Sequence, residues 1–194
     1  MITLFKIKKI SQKGFTLIEL LTSIAVVIIL SAIVFANYRS GERQYALQRS
    51  THKLAQDIRR IQEMATSTRE FKCSGYPNPI IPPGGYGVYF PNLSPTTNNY
   101  YILFADCNGD SDYDSGEQLL GGTVNLEKGI TISSHVPPAN QSQAAWVLFT
   151  PPDPTTIFNK DNNNSTLTIT LTTSSNPPKT KEVKMNTSGL IEVP

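Results

Sequence analysis

The hydrophobic pattern of the chain begins at Phe15. From Phe15 to Ala36 nearly every position is apolar, and Glu19 is the only charge. As a helix this run spans about 33 Å, enough to cross the hydrocarbon core of a bilayer. From Leu47 the pattern becomes one-sided. Leu47, Thr51, Leu54, Ile58, Ile61 and Ala65 recur at alternating spacings of four and three, which places them on one helix face. The other face carries Arg43, Arg49, Lys53, Arg59, Arg60 and Glu63. The helix is expected to continue to about Thr68 and to lay its apolar face on a sheet. Gly41 is a weak point within it, costing about 1 kcal/mol in a helix interior.

After Phe71 helical periodicity stops, and proline, glycine, asparagine and threonine become common. Short strand-like runs follow at Gly85–Phe90, Tyr100–Ala105, Glu117–Leu120, Gly129–Ser133, Ala144–Thr150, Thr166–Thr172, Lys181–Met185 and Leu190–Val193. Several alternate apolar and polar residues, as a half-buried strand does. Turn clusters at Asn92–Asn99, Pro151–Thr155 and Ser174–Pro178 separate them. The last pair reads as a hairpin turning at Asn186–Gly189. One long helix feeding a set of antiparallel strands is an α+β pattern.

Charge changes the picture by its distribution. Residues 1–14 hold Lys6, Lys8, Lys9 and Lys13 and no acid. Residues 37–70 hold seven basic residues against four acids, and residues 71–194 six lysines against ten acids. A nucleic-acid binder is expected to present a basic, arginine-bearing surface. The β-rich part shows the reverse, so DNA is an unlikely partner on charge. The N-terminal lysines read as a flank retained in the cytoplasm.

Three readings compete for the apolar run. It can be a secretory signal cut after Val34-Phe35-Ala36, releasing a secreted β-domain. It can be an uncleaved anchor. Neither accounts for Glu19, because an acid inside a membrane segment is costly and usually functional. The third starts from Lys13-Gly14-Phe15-Thr16-Leu17-Ile18-Glu19-Leu20-Leu21, which resembles the processing site of type IV pilins and type II secretion pseudopilins. The resemblance implies a leader of residues 1–14 and a cut by prepilin peptidase between Gly14 and Phe15. It also implies N-methylation of Phe15 and an assembly role for Glu19, paired with the free amine of a neighbouring Phe15. The expected partners are prepilin peptidase, other pilins or pseudopilins, and the inner membrane, with an extracytoplasmic head. Many major pilins carry a kinking proline late in this run. Here that position is Ala36 and the first proline is Pro77, so a straight helix is expected.

The domain division that follows is a leader at 1–14, a membrane and filament-core helix at 15–36, its amphipathic continuation at 37–70 and a head at 71–194. Within the head, Gly85-Tyr86-Gly87-Val88-Tyr89-Phe90, an Asp-Asn-Gly acidic loop, Phe149-Thr150-Pro151 and Ser188-Gly189-Leu190-Ile191 resemble the GspH/FimT group of minor pilins and pseudopilins. That group initiates or caps filaments, and some members are linked to DNA uptake through basic residues near the C-terminus. Here Lys179, Lys181 and Lys184 occur there without an arginine. The resemblance therefore implies a structural assembly subunit, with a tip-exposed binding module as the alternative.

Two further features bear chemistry. Asp106, Asn108, Asp110, Asp112, Asp114 and Glu117 stand at EF-hand ligand positions, so calcium of roughly millimolar affinity is an expectation for this loop. Ser111 replaces the turn glycine and the flanks are strand-like. The other reading is a water-facing acidic hairpin. Cys73 and Cys107 match no metal framework. They are expected to pair as a disulfide on the extracytoplasmic side, the alternative being two buried thiols. No enzyme is expected, since catalytic arrangements need a positioned base and the histidines are only His52 and His135. Asn163, Asn164 and Asn186 head formal glycosylation sequons.

Overall fold

The computed structural model describes residues 14–94, 96, 98–137, 143–152, 155–159 and 165–194, with backbone alone at 36–40 and 120. The chain forms two compact units, Met1–Ser40 and Gly41–Pro194. The helix α1 covers Leu17–Thr66 and contributes to both. In the first unit every described side chain from Gly14 to Phe35 is exposed.

In the second unit α1 is one-sided. Leu47, Thr51, Leu54, Ile58, Ile61 and Ala65 are all buried, joined by Ala46, Ser50 and Ala55. This is the predicted face. Thr51 tolerates burial because its hydroxyl donates to the Leu47 carbonyl at 2.7 Å. The helix ends in a Schellman motif: the Arg69 amide bonds to Met64 O and the Thr68 amide to Ala65 O, both at 3.1 Å. Thr68 takes the left-handed position there, with φ 46°, where glycine is usual.

Nine strands follow: β1 Gly85–Phe90, β2 Tyr100–Asp106, β3 Gln118–Asn125, β4 Ile130–Val136, β5 Ala145–Thr150, β6 Thr155–Phe158, β7 Thr166–Thr173, β8 Thr180–Asn186 and β9 Ile191–Glu192. They build a five-stranded antiparallel sheet, β3-β2-β1-β5-β6, and a four-stranded one, β4-β7-β8-β9. Eight strands match predicted runs. β3 is longer than expected, because Gly121 and Gly122 continue the strand. β6 falls partly where a turn was predicted, since the Pro151–Thr155 cluster hides a short strand that pairs with β5. The closing hairpin is present, with Met185 opposite Ile191 and Gly189 at φ +78° in its turn.

One connected core joins α1 to both sheets, through residues such as Ile58, Tyr86, Val147, Ile169 and Val183. Polar ties reinforce it. Tyr101 donates to Asp57 Oδ2 at 2.6 Å, Arg59 Nη2 to Ile191 O at 3.1 Å and Gln62 Nε2 to Gly189 O at 3.3 Å. Burial raises the Tyr101 phenol far above its usual range, with the Asp57 hydrogen bond adding to it. Alternation along β1, β2 and β5 therefore defines an inner, helix-facing side (Tyr86, Val88, Tyr101, Leu103, Val147) and an outer side with Tyr89, Phe104 and Trp146.

Candidate functional site

Two regions hold the residues with predicted roles. The first is the start of α1. Gly14, Phe15 and Thr16 precede the helix, and the basic residues of the proposed leader lie outside the described residues. Thr16 is the N-cap. Its hydroxyl accepts from the Glu19 amide at 3.3 Å and bonds to Glu19 Oε2 at 3.5 Å. Thr-x-x-Glu is a capping-box spacing, and the carboxylate also sits at the positive end of the helix dipole. This local role of Glu19 was legible in the sequence as a Ser/Thr-x-x-Glu pattern ahead of an apolar run. The remaining hydroxyls are satisfied within the helix: Thr22 and Ser23 donate to Glu19 O and Ser31 to Val27 O. Hydroxyls that close onto the helix backbone suit a medium without water. Leu17–Phe35 is long and apolar enough to cross a membrane.

The second region is the acidic loop between β2 and β3. Its acids divide between water and the interior, with Asp110 and Asp114 exposed. Asp106 is fully buried and Glu117 is 6% exposed. Asp106 accepts from the amides of Gly109 (2.6 Å) and Ser111 (2.8 Å). Glu117 accepts from Cys107 (2.8 Å) and Asp114 (3.0 Å). Asn108 Nδ2 donates to Asp114 Oδ2 at 2.8 Å, and Asp110 Oδ1 accepts from the Asp112 amide at 2.9 Å. The carboxylates are thus directed at the loop's own backbone donors. Burial nonetheless raises the pKa of both Asp106 and Glu117, outweighing those donors. Among the described residues no group of three or more His, Cys, Asp or Glu is placed to hold a metal ion.

The loop lies against the outer side of the five-stranded sheet. The Tyr113 ring is tilted against Tyr89 at 4.6 Å and meets Phe104 edge-on at 5.4 Å, centroid to centroid. Trp146 Nε1 donates to Ser111 O at 2.9 Å. Phe104 can lie flat there because Gly87 has no side chain; a Cβ at Gly87 would come within 2.5 Å of the Phe104 ring. Neither Tyr113 nor Trp146 was singled out in the sequence, since nothing local says which strand face a loop will cover. Cys73 and Cys107 form a disulfide, Cα to Cα 5.7 Å, closing a separation of 34 residues. It ties the loop to the segment after α1.

Comparison with known families adds one match. A family model described as the prokaryotic N-terminal methylation motif covers residues 9–35. That match supports a type IV pilin-like protein. Comparison with curated proteins and with solved structures found no match. The motif implies processing by prepilin peptidase and assembly of this pilin-like chain with other pilins, and its family is one of structural subunits. His52 of the pilin-like chain is exposed on α1 and His135 is buried on β4. Its C-terminal lysines are engaged internally: Lys179 Nζ donates to Gln44 Oε1, Lys181 Nζ to Pro194 O, and Lys184 pairs with Glu182 at 2.9 Å.

Proposed function

We propose that this chain is a minor pilin or pseudopilin of the GspH/FimT kind. It is a structural subunit, not an enzyme, cut between Gly14 and Phe15, N-methylated on Phe15 and assembled through its N-terminal helix. Its machine is a type IV pilus or a type II secretion pseudopilus. The chain waits in the inner membrane with its head on the extracytoplasmic side, a placement supported by the Cys73–Cys107 disulfide, which needs an oxidising compartment.

The observation that carries this reading is Glu19, inside a matched processing motif and on the first turn of an apolar helix. A carboxylate taken into a bundle of such helices needs a compensating cation. The amine released at Phe15 of a neighbouring subunit supplies it. N-terminal sequencing and intact mass of the chain from cells with prepilin peptidase test the reading. The expected product begins at Phe15 and is one methyl group heavier than the unmodified chain. A product beginning at Asn37 or still carrying residues 1–14 overturns it. Glu19→Gln is expected to be processed and inserted but absent from assembled filaments.

A further inference from the structure

The head carries opposite charge on opposite sides of its larger sheet. The helix side bears α1, whose stretch 41–70 holds six basic residues against four acids. The outer side bears the loop 106–117, with five acids and no basic residue. Both sit at the same end of the head, because the Cys73–Cys107 disulfide ties the loop to the segment just past Arg69.

At that end, on the helix side, a groove of about 360 Å³ runs between the end of α1 and β3. Its floor is apolar, with Met64, Phe71 and Leu119, and Arg60, Arg69 and Lys72 stand around it beside Glu70. Arg60 and Arg69 are exposed and, among the described residues, have no carboxylate partner. Lys72 donates to the Pro77 carbonyl, which leaves its charge uncompensated. β3 is an edge strand, and edges left open are ready docking surfaces. Gly121 leaves open space beside it.

We propose that this groove receives the acidic loop of a second copy of the same chain, with Asp110 and Asp114 meeting Arg60 and Arg69. Charge complementarity selects the occupant. Groove against groove brings like charges together, as does loop against loop, whereas groove against loop pairs opposite ones. Such a contact uses two different surfaces of one molecule. It is a head-to-tail contact between two copies, not a two-fold one. The loop is suited to be the inserted part, since its backbone is already closed on itself by Asp106 and Glu117 and needs no ordering on contact. The inference rests on the assembly reading above and specifies the head contact within it.

The test uses full-length chains carrying two different tags, co-expressed in the membrane. One copy has the exposed Ser115 replaced by a photo-reactive benzoylphenylalanine. Irradiation is expected to join it to the other copy at Met64, Phe71 or Leu119, identified by mass spectrometry. Arg60→Glu in the acceptor copy is expected to abolish the cross-link, as is Asp110→Lys in the donor copy. Combining the two is expected to restore it. A cross-link that persists unchanged in Arg60→Glu, maps elsewhere, or joins only other proteins overturns the proposal. So does the absence of any cross-link. The N-terminus is sequenced in the same samples. Phe15 at the N-terminus with no charge-swap effect removes the docking contact alone. A restored cross-link in a chain that does not begin at Phe15 removes the processing reading alone.

Discussion

The two stretches of α1 differ in what their apolar residues touch. From Leu47 to Ala65 the apolar positions form one face, and that face is buried in the head. From Leu17 to Phe35 they run all round the helix, and none is covered within the chain. The first stretch is completed by its own fold. The second has its backbone and hydroxyls satisfied but its side chains unsatisfied, so lipid or other helices must cover them. One helix thus contributes stability in one stretch and, in the other, an apolar surface for lipid or other helices.

The sharpest break of that comparison is a pair of alanine substitutions. Ile58→Ala is expected to cost the head about 2–5 kcal/mol, because Ile58 is fully buried. Ile28→Ala is expected to leave head unfolding unchanged within about 0.5 kcal/mol. Denaturant unfolding of the full chain in detergent, followed by head fluorescence, reads both. Equal effects would sink the distinction. Next in size is the disulfide. Removing it through Cys73→Ser with Cys107→Ser is expected to cost roughly 3–4 kcal/mol in the chain-entropy model for a loop of this length. The same unfolding experiment measures it.

The loop comes third. Glu117→Gln replaces one of two accepting oxygens with a donor and is expected to cost about 1–3 kcal/mol. If the loop takes calcium as its spacing predicts, millimolar calcium raises the melting temperature of the wild-type chain and the rise disappears in Glu117→Gln. An unchanged wild-type melting temperature removes the ligand set. Fourth is Thr68→Gly, which relieves a β-branched residue held at positive φ. A gain on the order of 0.5–1 kcal/mol is expected in thermal or denaturant melts.

The smallest effect is electrostatic. Arg49 holds Glu127 in a bidentate pair at 2.8 and 2.6 Å, and that hydrogen bond, more than the charge, lowers the Glu127 pKa. A lowered acid pKa stabilises the fold above the unfolded value of about 4.3 and stops doing so as pH falls through the folded value. Glu127→Gln should therefore flatten the acid side of a stability profile slightly, by less than the Thr68 change. High salt should erase the difference, since the pair is exposed.

Much of the fold was legible because it rests on short-range periodicity. The spacing of Leu47, Thr51, Leu54, Ile58, Ile61 and Ala65 specifies a face whatever lies opposite it. The alternation of Thr166–Thr172 likewise specifies a strand. The strand β6 was not legible, because its pairing with β5 outweighs the turn-forming residues before it. The capping of Glu19 by Thr16 was written locally and was overlooked beside its larger expected role. Acid spacing in the loop names the residues that carry oxygen, and only the fold shows that Asp106, Asp110 and Glu117 also accept from the loop's own amides.

The processing motif around Gly14, Phe15 and Glu19, the uniformly apolar stretch after it and the one-sided stretch beyond are properties of contiguous residues. The sequence alone therefore determined them. Only the tertiary structure decided that Tyr113 would seat the acidic loop on Tyr89 and Phe104. It bore out the Cys73–Cys107 pairing expected from the sequence and set acidic and basic surfaces on opposite sides of one sheet. Those outcomes depend on contacts between residues far apart in the chain, and no local pattern encodes which distant partners will meet.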